Sequence, residues 1–232
     1  MMKVSRQRLS NQVYDILKDM ITNYRFSPGM RINVEQLTKE VGASRTPVWE
    51  AVHRLIQEGL LVSIPNRGVF MAALTPKQAI ELYTVREVLE GLAARLAIAN
   101  MDDRAEKKMT KCLQEQLKVI EKEDLVGYSR LDYDFHAMVY EASGNRTLQE
   151  MLETIKNKMR PIAMHINPIL SNLYHDHEAI LEAFKSRDPD KAEAAFRSHN
   201  LHMIDQIQRG IETDEWKEVY EEPQRKKKRT GS

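Results

Sequence analysis

Four polar residues stand at positions where the sequence pattern predicts inward-facing, apolar side chains. Asp132 and His136 are four residues apart, so both fall on the same face of a helix. His177 interrupts one apolar series and His199 interrupts another. Burying such groups without partners costs several kcal/mol, so each of the four needs a partner inside the protein.

A divalent metal ion is one partner that satisfies all four residues together. Three neutral imidazoles and one carboxylate are good ligands for Zn²⁺ and acceptable ligands for Ni²⁺, Mn²⁺ or Fe²⁺. The alternative is that each histidine is a core residue whose ring is hydrogen-bonded to a neighbouring group. For one histidine that alternative is the better interpretation, whereas four polar residues on the inward faces of three helices favour the metal.

The helices that position these residues are predicted from apolar residues spaced three and four apart. Thr75-Pro76 has the form of a helix cap followed by a first-turn proline. An apolar series expected to face inward follows it: Leu82, Val85, Leu89, Leu92 and Leu96. Pro161 predicts a kink in the fourth helix. The six predicted helices cover about residues 76–100, 103–123, 125–142, 146–165, 171–186 and 189–211.

A separate pattern, in residues 42–59, predicts the turn and second helix of a helix-turn-helix. Gly42 can take the left-handed conformation that ends a helix, and the Ser44 hydroxyl can cap the helix that follows. The apolar face of this helix consists of Val48, Val52 and Leu55. Three side chains near its start lie away from that face: Arg45, Thr46 and Trp49. In helix-turn-helix proteins, Ser44 and these early positions are placed to contact DNA in the major groove.

A β-hairpin is predicted directly after this helix. Two apolar runs, residues 60–64 and 69–72, flank Pro65-Asn66-Arg67-Gly68, a composition that favours a tight turn. Arg67 and Gly68 lie at its tip, where the arginine can enter a minor groove or contact a phosphate. A helix over about residues 8–24 and a short helix capped by Asn33 precede the helix-turn-helix.

Charge is distributed unevenly along the 232 residues. Residues 1–70 hold 10 Lys/Arg and 6 Asp/Glu, a net charge of +4, and the basic run 225–229 adds +5. Because the whole chain carries +1, residues 71–224 carry −8. A basic segment joined to an acidic body suits a nucleic-acid-binding protein. One cysteine, no apolar run of membrane-spanning length and no signal-peptide pattern favour a cytoplasmic protein that does not bind membranes.

The sequence also resembles a known family. From Ser44, the chain reads Ser-Arg-Thr-Pro-Val-x-Glu-Ala-Val-x-x-Leu-x-x-Glu-Gly-Leu, which resembles the signature of GntR-family bacterial transcription regulators. A winged helix followed by six predicted helices is similar to the VanR-type branch of the FadR-like subfamily, whose C-terminal (FCD) domain is an antiparallel helical bundle. The resemblance covers about residues 8–212. It implies a mostly α-helical fold, an N-terminal winged helix-turn-helix followed by an antiparallel six-helix bundle.

The resemblance implies roles for individual residues. Four of them match the metal-binding positions of metal-containing FCD domains: Asp132, His136, His177 and His199. Four other histidines do not match and are expected at the surface or beside the ligands: His53, His165, His175 and His202. Arg86 matches an arginine that lines the effector pocket and holds a carboxylate, although a salt bridge to Glu90 is the simpler interpretation. Trp49 replaces an operator-reading arginine that is common in the family, so we expect a different operator.

These features together predict a metabolite-responsive transcription regulator, and the resemblance implies a repressor, the commoner arrangement in the family. It would bind palindromic double-stranded operator DNA as a homodimer, since one helix-turn-helix reads too few bases for specificity. A small organic acid at the metal-containing bundle site would release or re-set that binding. The predicted domains are residues 1–74 for DNA binding, 75–215 for effector binding and dimerisation, and 216–232 as a disordered basic tail.

Three alternatives remain from the sequence: a metal-sensing regulator without an organic effector, a metal-dependent hydrolytic enzyme, and a winged helix that binds protein. The hydrolase lacks a placed general base such as the glutamate of His-Glu-x-x-His, so we do not expect an enzyme. The cluster of Arg45 and Thr46 with a basic flank disfavours protein binding by the winged helix.

Overall fold

The computed structural model describes residues 6–160 and 170–212, and within these ranges the secondary structure is mostly α-helical. The chain divides into two compact units, here called the head and the body, whose boundary in the sequence falls between Ala73 and Leu74. Within the described ranges, every helix is too short or too polar to cross a bilayer. Pro161, His165 and the predicted tail 216–232 lie outside the described residues.

The head combines helices with a small antiparallel sheet. Its helices are α1 (Arg6–Thr22), α2 (Val34–Val41) and α3 (Arg45–Gln57), and its strands are β1 (Arg31–Ile32), β2 (Leu61–Ile64) and β3 (Gly68–Met71). The strand order is β1-β3-β2. The head core is built from apolar side chains, among them Val13, Leu17, Ile21, Leu37, Val48, Val52, Leu55 and Val69. The helix-turn-helix and the hairpin are therefore confirmed, whereas β1 has no counterpart in the sequence predictions.

The ends of α2 and α3 show which predicted caps form. Asn33 begins α2 and accepts a hydrogen bond from the Gln36 amide at 3.0 Å. Gly42 ends α2 with a left-handed φ of 68°, as predicted. Ser44 begins α3 in an extended conformation, but its hydroxyl makes no hydrogen bond to the first-turn amides. The predicted Ser44 side-chain cap is therefore wrong, and the residue is exposed to water, which can satisfy its hydroxyl instead.

Helix α1 ends two residues before its predicted end. The amides of Tyr24 and Arg25 donate to the carbonyls of Ile21 and Met20, both at 3.1 Å, which closes the last turn of the helix. This places Tyr24 at a φ of 54°, where a glycine would fit without strain. A tyrosine there costs about 1 kcal/mol of backbone strain.

The body is a bundle of six α-helices within the described residues: α4 (Pro76–Ala97), α5 (Asp103–Ile120), α6 (Leu125–Ala142), α7 (Arg146–Met159), α8 (Leu170–Lys185) and α9 (Pro189–Glu212). A short 3₁₀ turn, Ile98–Asn100, follows α4. Side chains of Thr75, Asp102, Asp124 and Asn145 cap α4 to α7 by accepting from first-turn amides. Thr75 and Gln78 form a full capping box, and Pro76 lies in the first turn as predicted.

Helix α4 buries a different face from the one predicted. In the predicted inward series, Val85 is 51% exposed and Leu92 is 41% exposed, so that prediction is wrong for these residues. The buried residues of α4 are instead Ala79, Tyr83, Arg86, Glu90, Gly91, Ala93, Ala94 and Ala97. This face packs against α9 so closely that a Cβ at Gly91 would lie 3.0 Å from the Arg197 side chain. Small residues allow that approach, which a search for large apolar side chains does not find.

Candidate functional site

Three histidines from three helices meet inside the body. His136 of α6, His177 of α8 and His199 of α9 are all buried. One ring nitrogen of each lies within 4.8 Å of one ring nitrogen of the other two. The structure therefore brings together three of the four residues that the sequence predicts as metal ligands, in a cluster here called the imidazole cluster.

In each of the three rings, the Nδ1 atom lies close to an oxygen atom of a residue outside the imidazole cluster. His136 Nδ1 lies 2.7 Å from Glu90 Oε1, and His177 Nδ1 lies 2.8 Å from Gln116 Oε1. His199 Nδ1 is 3.4 Å from a carboxylate oxygen of Asp176. Because these partners are acceptors, each Nδ1 carries the proton and each Nε2 carries the lone pair. This is the arrangement by which outer partners orient metal-binding histidines.

The lone pair of His177 Nε2 lacks a hydrogen-bond partner in the part of the chain that the structure describes. The Gln116 amide nitrogen donates to the Leu131 carbonyl at 3.3 Å, which turns the amide oxygen of Gln116 toward His177. His177 Nε2 is buried, and it has no hydrogen-bond partner among the described residues. A buried acceptor left unsatisfied costs about 1–3 kcal/mol, which a bound cation would remove.

Asp132 approaches two of the imidazoles. Its Oδ1 atom lies 3.6 Å from His136 Nε2 and 3.6 Å from His177 Nε2. Ligand atoms around tetrahedral zinc, bound at about 2.0–2.1 Å, are about 3.4 Å apart, so these distances suit a shared ion. Its other oxygen, Oδ2, pairs with the Lys156 ammonium at 2.9 Å. Asp132 therefore has one oxygen for a metal and one for the lysine.

The protonation states also suit a metal. Burial lowers the pKa of His136 to about 3 and holds the pKa of His177 well below its usual value. Burial alone would raise the pKa of Asp132, but Lys156, the two imidazoles and Arg86 together outweigh it and hold this pKa well below its usual range. At neutral pH both imidazoles are therefore neutral and the carboxylate is ionised, as metal ligands must be.

A buried ion pair lies against the cluster. Arg86 and Glu90 are 5% and 0% exposed, and their Nη2 and Oε1 atoms are 2.9 Å apart. Glu90 also accepts hydrogen bonds from Tyr140 and, at 2.7 Å, from Asn200. Arg86 Nη2 lies 3.3 Å from His136 Nε2. The predicted Arg86–Glu90 salt bridge therefore forms, and Glu90 is at the same time the partner that orients His136.

A cavity opens beside the cluster. It holds about 540 Å³ of empty space, counting its open mouth. Its lining includes three cationic side chains, Arg86, Lys156 and Arg160, together with Asp132 and His199.

The predicted DNA-binding residues lie on the surface of the head. Ser44, Arg45, Thr46 and Trp49, at the start of α3, are exposed, as are Arg67 and Gly68 in the hairpin. Arg45 pairs with Glu35 at 3.1 Å, but both side chains are more than three-quarters exposed, so the pair is weak. The ring of Trp49 lies 5.7 Å from that of His53, which is also exposed.

Sequence reasoning missed several residues that the structure places at the imidazole cluster, its cavity or the hairpin. Gln116 and Lys156 each interrupt an apolar helical series, the same signal that identified the histidines, so both were open to prediction. Arg160 falls beyond the last apolar residue of α7 and gives no such signal. Arg31 lies beside the hairpin because β1 pairs with β3, and its guanidinium would be 3.5 Å from a Cβ at Gly68.

Comparisons with known proteins agree with this arrangement. Residues 9–71 match the family of bacterial regulatory proteins named gntR, and residues 81–202 match the FCD domain. The HTH-type transcriptional regulator YdhC of Bacillus subtilis (strain 168) is 32% identical over 213 residues, which are 87% of this chain and 92% of YdhC. The HTH-type transcriptional repressor RspR of Escherichia coli (strain K12) is 26% identical, over 90% of this chain and 94% of RspR.

A solved structure gives the same fold. That of E. coli McbR/YncC has a TM-score of 0.77 and 23% sequence identity, and the match covers 88% of this chain and 98% of that one. The matched families and relatives are transcription regulators, which removes the hydrolytic enzyme from the alternatives. The chain therefore belongs to the gntR family of bacterial regulatory proteins, as a member with an FCD domain, and it is a transcription regulator rather than an enzyme.

Proposed function

We propose that this protein is a cytoplasmic, homodimeric repressor whose operator affinity is set by a small organic acid bound at a metal centre in the body. The observation that carries the proposal is the imidazole cluster, in which each Nδ1 has a partner and His177 Nε2 has none among the described residues. The relative RspR of E. coli is a transcriptional repressor, which supports repression as the sign of the regulation.

The head supplies operator binding. Ser44, Arg45, Thr46 and Trp49 project from the start of α3, the part of a recognition helix that enters the major groove. Arg67 and Gly68 form the hairpin tip, where the arginine reaches a minor groove or a phosphate. Trp49 cannot form the paired hydrogen bonds by which arginine reads guanine, so its contact with a base is apolar, for instance with a thymine methyl.

The metal centre consists of His136, His177, His199 and Asp132, with Zn²⁺ as the preferred ion and Ni²⁺, Mn²⁺ or Fe²⁺ as alternatives. When bound, the ion supplies a Lewis-acidic position for an oxygen of the effector. The protein orients the ligands through Glu90, Gln116 and Asp176. Since the lone pair of His136 Nε2 can serve either Arg86 or a metal, metal binding leaves the Arg86 guanidinium to hold a carboxylate of the effector.

The body supplies the dimer contact. Four apolar side chains on α4 and α7, which pack against each other, are at least two-fifths exposed: Val85, Val88, Leu92 and Met151. Several exposed apolar side chains on two neighbouring helices are the expected mark of a protein interface. A homodimer also presents two recognition helices to the two halves of a palindromic operator.

The metal is tested on the full chain by elemental analysis after loading with Zn²⁺ and desalting. We expect about one ion per chain in the wild type and none in an Asp132→Ala/His177→Ala variant. His175→Ala is the matched control, because His175 lies on α8 beside His177 but is exposed. Among the described residues, its ion-pair partner is Glu178. A folded wild type that takes up no divalent ion would remove the metal centre from the proposal.

Operator binding is tested on DNA enriched from random duplexes. We expect Arg45→Ala to weaken binding about ten-fold. Glu35→Gln, which removes the partner of Arg45 in the protein, should leave binding equal or stronger. If both variants weaken binding equally, the role of Arg45 lies in its pair with Glu35 and not on DNA.

Chelation tests the alternative function. A metal sensor without an organic effector would lose operator binding when the metal is chelated, and no organic acid would change that binding.

A further inference from the structure

The three cations that line the cavity are not equally neutralised. Arg86 is paired with Glu90, and Lys156 is paired with Asp132. Arg160, at the C-terminal cap of α7, has no ion-pair partner among the described residues. Residues 161–169, which follow it in the sequence, contain no Asp or Glu. Counting only the described residues, the cavity therefore has one positive charge in excess before any metal ion is added.

The side chain of Arg160 is built into the cavity wall. Its Cζ atom lies 5.5 Å from the centre of the Tyr133 ring, and Lys156 Nζ lies at the same distance from that ring. Arg160 Nε is buried and has no hydrogen-bond partner among the described residues, and the same is true of Arg86 Nε. Arg86 and Arg160 thus both line one cavity, and each keeps a buried Nε donor without a partner among the described residues. A planar carboxylate can pair with a guanidinium through two hydrogen bonds.

We propose that the effector is a dicarboxylic acid, with one carboxylate at the imidazole cluster and Arg86 and the second carboxylate on Arg160. This inference rests on the proposed organic-acid effector and narrows its class. A monocarboxylic acid would satisfy the first position and leave Arg160 without an anion inside a partly desolvated cavity. Arg160 is then the residue that determines specificity for the second acid group.

The test uses the full chain loaded with Zn²⁺ and isothermal titration calorimetry. The ligands are three pairs of equal carbon number: succinate with butyrate, glutarate with valerate, and adipate with hexanoate. We expect at least one dicarboxylate to bind at least ten-fold more tightly than its monocarboxylate partner. In Arg160→Gln that preference should fall to less than three-fold, while the monocarboxylate affinity stays within two-fold of the wild-type value.

Arg146→Gln is the matched control, because Arg146 lies at the other end of α7, is exposed and pairs with Glu150. It should keep the full preference for the dicarboxylate. Equal binding of both members of every pair, or a preference that survives in Arg160→Gln, would overturn the dicarboxylate inference and leave the organic-acid effector standing. If no acid of either class binds or changes operator affinity, the proposed effector function falls together with this inference.

Discussion

The head and the body place their charged side chains in opposite ways. In the head, the described buried residues are apolar, and the arginines proposed to contact DNA lie on the surface. In the body, the buried set includes Arg86, Glu90, Lys156 and the three histidines of the imidazole cluster. A surface that meets DNA needs exposed charges on a rigid support, whereas a site for a small ligand needs charges that water does not screen.

This difference has a consequence for stability. The head core gains from apolar burial without a large desolvation penalty. The body core contains groups whose charges are tolerated only because each has a partner, so removal of one partner exposes the full penalty of the other. Single polar substitutions and acid should therefore lower the stability of the body more than that of the head.

The largest expected contrast is between Glu90→Ala and Glu58→Ala in metal-free protein. Glu90 is buried and pairs with Arg86, so its removal should lower the free energy of unfolding of the body by about 3–5 kcal/mol. Glu58, in the head, is about a quarter exposed and accepts from the Tyr14 hydroxyl at 2.7 Å. Its removal should cost about 1 kcal/mol. Hydrogen–deuterium exchange resolved by peptide measures the two units separately.

Glu90→Gln separates charge from packing in that contrast. The amide has nearly the size of the carboxylate but cannot neutralise Arg86. Most of the loss in free energy of unfolding seen in Glu90→Ala should therefore persist in Glu90→Gln. Equal losses for Glu90→Ala and Glu58→Ala would show that the body core does not depend on its ion pair, and the contrast between the two units would fail.

Mild acid should act on the body alone. The pKa of His136 is lowered by burial to about 3, and that of His177 is also well below its usual value. An unfolded imidazole has a pKa of about 6.5, so between about pH 6.5 and 3 the unfolded chain binds protons that the folded chain does not. Each buried imidazole therefore leaves the free energy of unfolding unchanged above about pH 6.5. As the pH falls further, each one lowers that free energy, by about 2 kcal/mol at pH 5.

This pH dependence is measured by urea unfolding in a chelator at pH 7 and pH 5. Hydrogen–deuterium exchange in the head should change little over the same pH interval. The reason is that His53 is exposed and no other histidine lies in the described part of the head. A His177→Gln protein should lose less stability than the wild type between the two pH values. A head that loses as much stability as the body would contradict the assignment of the effect to the buried imidazoles.

The sequence predicted the imidazole cluster because a histidine in an apolar series needs a partner wherever the series is buried. The same logic applied to α4 failed, since Val85 and Leu92 continue a regular series and yet are exposed. Helix α4 packs through alanines and Gly91 against α9, and closeness of packing depends on the partner helix rather than on the hydrophobicity of α4 itself. Arg160 could not be found because its role depends on which carboxylates lie near it in space.

In the head, the sequence predicted the helix-turn-helix and the hairpin from local signals. It did not predict β1, because two residues carry too little alternation to show a strand. It also misjudged Ser44, since the residue type favours a cap but the side-chain rotamer decides whether the hydroxyl bonds to the helix or turns away. Local pattern thus locates an element, and only the three-dimensional setting fixes what its end residues do.

The smallest expected contrast compares two helix starts, Thr75→Ala in the body and Ser44→Ala in the head. Thr75 accepts from the Gln78 amide at 3.2 Å within a capping box, so its loss should cost about 1 kcal/mol. Ser44 makes no such bond, so Ser44→Ala should change stability by at most a few tenths of a kcal/mol. If Ser44 contacts DNA as proposed, the same variant should weaken operator binding a few-fold while its unfolding curve stays in place. Thr75→Ala should lower stability and leave operator binding unchanged. If Ser44→Ala is destabilised as much as Thr75→Ala, Ser44 is a structural cap in solution.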